Sequence, residues 1–87
     1  MTSRGLVLGP HAQDQMAERS ITEADVQTVL ANPLFRRPSY DYREEVYGHA
    51  LDGRTLKVVI VEGSLPPIVV TVMPIRRSRV ERLRRTS

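Results

Sequence analysis

At 87 residues the chain has room for one domain, which buries about 60% of the surface its unfolded form exposes. Three Tyr, one Phe and no Trp leave the core to aliphatic side chains, and the lack of cysteine excludes a disulfide scaffold and a thiolate zinc cage. The formal charge of +3 is unevenly spread: through Ile75 seven Arg or Lys face nine Asp or Glu, whereas from Arg76 to Ser87 six Arg face Glu81 alone. Residues 1–75 are therefore expected to form a single α+β domain, and residues 76–87 a basic tail or short helix. No apolar run approaches the roughly 18 residues of a membrane span, and the first residues lack a signal-peptide layout. A soluble, cytoplasmic protein without membrane contact is the expectation.

In chain order, Arg4 to Leu8 reads as a short strand closed by Gly9-Pro10. Pro10 suits the first position of a helix, where its missing N–H costs nothing, and the run to Arg19 consists mainly of helix formers. Thr22 followed three residues later by Asp25 resembles a capping box and opens a second helix. Its stripe of Val26, Val29 and Leu30 faces the core, and Asn32-Pro33 stops it. From Leu34 the period changes to two, weakly at first and interrupted at Pro38. Glu44 to Leu51 and Arg54 to Glu62 are expected to pair through a two-residue turn at Asp52-Gly53. After a turn at Gly63 to Pro67, Ile68 to Met73 is apolar enough on both faces to lie centrally under helices. The resulting architecture is two N-terminal helices packed on an antiparallel meander of three to four strands. Val80 and Leu83, three apart, either lean a final helix on the sheet or fray.

Chemistry concentrates between His11 and Arg19. A helix turns about 100° per residue, so His11, Gln15 and Glu18 point within about 60° of one another, with Arg19 beside them. An imidazole, a carboxylate and a guanidinium on one exposed edge suit proton transfer and phosphate holding. The two histidines, His11 and His49, fall in different elements with no HxxxH or HxH spacing, so no metal site is expected. No Gly-rich phosphate loop and no GxSxG elbow occurs, and no cofactor is expected. On the sheet, Arg54 opens the strongest strand and Thr71 is the sole hydroxyl of an apolar one. Tyr40, Tyr42 and Tyr47 surround one loop and suit either base stacking or packing on the sheet.

The pattern His11-Ala12, Met16, Glu18-Arg19, Ile21, continued by Gly53-Arg54, Leu56, Val58-Val59 and Val70-Thr71-Val72, resembles a bacterial domain-of-unknown-function family, DUF4258, up to about Met73. The sequence departs from that family at Gln15, often Arg, which removes a candidate phosphate contact. It departs again at Ser20, usually Gly, which implies a less strained inter-helix turn. The family is similar in turn to RelE and BrnT toxins, whose fold sets N-terminal helices against an antiparallel sheet and whose members include metal-independent ribonucleases.

The resemblance implies an RNA-cleaving, toxin-like protein in which the 2′-hydroxyl of the RNA attacks the adjacent phosphate. His11 would be the general acid or base, Glu18 its orienting or proton-accepting partner, and Arg19 and Arg54 the stabilisers of the phosphorane. Thr71, Arg76, Arg77 and Arg79 are the candidate substrate contacts. RNA or the ribosome is the expected partner, with an antitoxin protein as its neutraliser. A second reading makes the chain a non-catalytic module, in which the His11 edge is a structural network and the Arg tail binds protein or nucleic acid.

Overall fold

The computed structural model describes residues 5–86, an α+β arrangement of three helices and one five-stranded sheet. Strand β1 (Val7–Leu8) leads directly into α1 (Pro10–Arg19); Arg4, at the head of the expected first strand, lies outside the described residues. Helix α1 begins on Pro10 as its sequence demands, and Ala12 and Met16, one turn apart, are its buried residues. It ends at Ser20, where φ is 54° and ψ 46°. The turn is therefore not relaxed by the absence of glycine: a serine occupies the left-handed conformation, which costs a side-chain-bearing residue about 1–2 kcal/mol. The Ile21 N–H donating to the Met16 carbonyl at 2.9 Å holds it there.

Helix α2 (Glu23–Ala31) carries the expected capping box in full: the Thr22 hydroxyl accepts from the Asp25 N–H, and the Asp25 carboxylate accepts from the Thr22 N–H. Val26 and Val29 are fully buried and Leu30 packs at the margin of the core. The strands that follow are β2 (Phe35–Ser39), β3 (Arg43–His49), β4 (Thr55–Val61) and β5 (Ile68–Pro74). Pro38 interrupts nothing, because β2 is an edge strand and an edge tolerates a missing N–H. The β3–β4 turn is a residue longer than expected. Ala50 N–H donates to the Arg54 carbonyl at 2.7 Å, leaving Leu51, Asp52 and Gly53 as a three-residue loop whose last member, at φ 92°, uses the freedom of glycine.

The sheet runs β1-β5-β4-β3-β2. Strands β2 to β5 are sequential antiparallel neighbours, as a meander requires, but β1 adds in parallel, with Val7 and Leu8 opposite Ile68 and Val69. The expected three- to four-stranded antiparallel meander is thus a five-stranded mixed sheet. The reason is local. Gly9 turns the chain straight from β1 into α1, which lies against β5, and the Gly9 N–H donates to the Val69 carbonyl at 2.9 Å.

Helix α2 lies against β3 and β4. Gly48 lets it approach, since a Cβ there would stand 3.2 Å from Val29 Cγ1 and 3.3 Å from Val29 Cα. Between helices and sheet sits the aliphatic core, with Val46, Leu56, Val58, Ile60, Val69 and Val72 from the strands. The opposite face is not bare. Tyr47, Val59 and Val80 are buried there outside the main core, and Phe35 stacks on Tyr47 with ring centroids 4.5 Å apart. Val80 belongs to α3 (Arg77–Thr86), so the basic segment is a helix seated by one valine, with Ser87 outside the described residues.

Candidate functional site

Because α1 runs beside β5, its exposed edge and the end of that strand enclose a cleft of about 420 Å³. His11, Asp14, Gln15, Glu18 and Arg19 form one wall, and Val72 to Pro74 the other. The helical arithmetic of the sequence is realised, and the side chains of His11, Glu18 and Arg19 are exposed without a hydrogen bond or ion pair among the described residues. His11 and Glu18 stand two turns apart, about 10 Å along the axis, and form no hydrogen bond. The carboxylate one turn from His11 belongs to Asp14. Angle alone does not single it out, because three residues rotate Asp14 about 60° from His11, whereas seven bring Glu18 to within about 20°.

Gln15 has a different task. Its Oε1 accepts the Val72 N–H at 2.9 Å, where β1 has already ended and β5 has no strand neighbour on that side. The side chain takes the place of a missing strand partner, which an arginine, having no acceptor, cannot do.

Arg54 is likewise occupied. Its Nε donates to Asp52 Oδ2 at 2.6 Å, Nη1 to the Arg19 carbonyl at 2.6 Å and Nη2 to the Ser20 carbonyl at 2.8 Å. Nη1 and Nη2 hold the β3–β4 hairpin to the C-terminal end of α1, whose last carbonyls favour a cation, while Nε bonds within the hairpin loop itself. Thr71 pairs with Val59 on the face away from α1, so it does not line the His11 cleft.

Two further depressions adjoin the first. One, of about 460 Å³, is lined by His49, Arg54, Thr55 and Arg77; the other, of about 770 Å³, lies between α3 and the sheet and collects Lys57, Arg76, Arg79 and Arg82. Pro74 borders all three, so the cations cluster around the end of β5. His49 has its Nδ1 3.3 Å from Thr55 Oγ1. Its sequence neighbours give no hint of this setting, since only the pairing of β3 with β4 brings it beside Arg77.

On the same face of the sheet as Lys57, which lines the basic groove, lies a charged cluster that no short stretch of sequence reveals. Glu45 Oε1 accepts from the Tyr47 hydroxyl at 2.8 Å, with Arg37 Nε at 3.7 Å and Lys57 Nζ at 3.9 Å from the same carboxylate. Burial, and then the Glu45 carboxylate, raise the Tyr47 phenol above its ordinary range. The signal for the cluster lies in the register: Arg37, Glu45 and Lys57, Tyr47 alternate on one face of three neighbouring strands. Among the described residues no group of three His, Asp or Glu is placed to hold a metal ion, and no helix is long and apolar enough to cross a membrane.

A family model described as a domain of unknown function, DUF4258, matches residues 8–74, from the end of β1 to the end of β5 and short of α3. No curated protein and no solved structure gives a match.

Proposed function

The chain belongs to the DUF4258 family, and we propose that it is a metal-independent, toxin-like ribonuclease that cleaves RNA through its own 2′-hydroxyl, with the RelE and BrnT toxins as its relatives in fold. The observation that supports this reading is an exposed His11, without a hydrogen bond or ion pair among the described residues, in a cleft that shares Pro74 at its border with the basic groove of α3. The groove supplies cations for consecutive phosphates, and the cleft supplies an imidazole able to accept or donate a proton.

In the reaction the 2′-oxygen bonds to phosphorus and the 5′-oxygen leaves, giving a 2′,3′-cyclic phosphate and a 5′-hydroxyl. His11 accepts the 2′ proton or donates one to the leaving oxygen, with Asp14 near enough to orient the ring. Arg19, two turns away, and Arg76, Arg77 and Arg79 hold backbone phosphates, while Glu18 stands too far along the helix to share a proton with His11. The substrate is RNA, free or on the ribosome, and an antitoxin protein is the expected neutralising partner.

His11→Gln is expected to fold as the parent does, because the residue is exposed and has no hydrogen bond among the described residues, and to lose cleavage of a broad RNA pool in EDTA by about 10²-fold or more. The products should carry 2′,3′-cyclic phosphate ends. Parent protein that leaves the pool intact in EDTA while binding it would instead favour a non-catalytic RNA-binding module. The engagement of Arg54 in the fold favours that second reading, since it withdraws one cation from the chemistry.

A further inference from the structure

At the end of the sheet away from Pro74, the β2–β3 hairpin closes through Ser39 opposite Arg43, with Tyr40, Asp41 and Tyr42 as its loop. Asp41 and Tyr42 both have φ 57°, the left-handed region. An aspartate tolerates that conformation; an aromatic residue there is an outlier whose strain must be held by its surroundings. Two hydrogen bonds hold it. Arg43 N–H donates to the Tyr40 carbonyl at 3.2 Å, and Glu62 N–H, at the end of β4, donates to the Tyr42 carbonyl at 2.7 Å.

The conformation secures no packing for the rings it displays. Tyr40 is 87% exposed and Tyr42 83%, so neither leans on the sheet. A hairpin needing only to turn would place glycine or asparagine at these positions. We propose that the Tyr40–Tyr42 tip is a base-stacking platform for single-stranded RNA. This inference rests on the RNA reading above and adds a second contact region to it.

Base faces fit the tip better than a protein does. The loop alternates phenol with aspartate and is flanked by Ser39 and Arg43, so each ring stands apart among polar groups. Stacking needs one free π-face per base, whereas a protein interface needs a continuous, well-packed apolar centre. The seven-residue strands β3 and β4 set the tip about 20 Å from the basic clefts, so one RNA strand that engages both must span the length of the sheet.

The test uses a fluorescein-labelled, 2′-O-methylated single-stranded RNA of 12 nucleotides, which lacks the nucleophile and survives the assay. Tyr42→Gly relieves the backbone, so its thermal midpoint should hold or rise while its affinity for the probe falls about five-fold or more. Tyr40→Ala, at a position without unusual backbone geometry, should weaken binding similarly, and Tyr42→Phe should retain parental affinity. If the parent binds and both ring-removing variants bind equally well, the platform is wrong and the RNA reading stands. If the parent fails to bind the probe even at low salt, the RNA reading falls and the platform with it.

Discussion

One carboxylate joins two segments 26 residues apart: Asp25 Oδ2 takes the Thr22 N–H at 2.9 Å and Oδ1 takes the Leu51 N–H at 3.0 Å. Its side chain is buried, and burial raises its pKa, but the Thr22 hydrogen bond outweighs this and the Leu51 N–H, the Thr22 hydroxyl and the Arg54 charge act in the same lowering direction. A folded-state pKa below the unfolded value means that the unfolded chain binds more protons in the window between them. Asp25 therefore contributes stability that is complete above the ordinary carboxylate pKa of about 3.9 and is lost as pH falls through the lower folded value. Asp25→Asn should cost about 1–3 kcal/mol at pH 7, because an amide offers one acceptor where two donors wait. Urea unfolding of parent and variant at descending pH checks the sign: the gap should narrow in acid, and a gap that widens would remove Asp25 from the account.

Between elements, the same corner is closed by Arg54, and here the residue's role differs from the one its position in sequence suggests. A strand-opening arginine beside a tight turn reads as a free cation for substrate, yet its nitrogens end on Asp52 and on two carbonyls of the α1 terminus. With its side chain about one-third exposed, its contribution is modest. Arg54→Gln should cost about 1–2 kcal/mol and leave RNA cleavage unchanged at temperatures where the variant is folded. Full stability with abolished cleavage would return Arg54 to the catalytic group.

The elements themselves are legible where the signal is local: Pro10, the Thr22–Asp25 box and the Val26/Val29 spacing place α1 and α2, and alternation places β3 and β4. The parallel docking of β1 is not, because two residues carry no periodicity and their partner lies 61 positions away, Val7 against Ile68. The helical edge from His11 to Arg19 is likewise legible from angle alone. The Glu45 cluster is not, since its members come from three strands whose mutual register no short window contains.

At the scale of the whole molecule, the uneven charge of the sequence becomes a layered arrangement. Helices α1 and α2 cover one face of the sheet with aliphatic residues, while α3 lies over the other and carries its arginines around the buried Val80. The basic segment is thus part of the structure, and removing it would take away the buried Val80 as well as charge. A truncation would mix these effects, so the electrostatic role is better separated by neutralising exposed arginines in place. Arg76→Gln combined with Arg79→Gln leaves Val80 seated and should barely change thermal stability. If both arginines touch phosphates of single-stranded RNA, the slope of log affinity against log salt should become shallower by about 1.4, about 0.7 for each phosphate no longer neutralised. Fluorescence anisotropy from 50 to 300 mM salt measures it. An unchanged slope with parental affinity would place the RNA path away from α3 and leave the His11 cleft without its electrostatic approach.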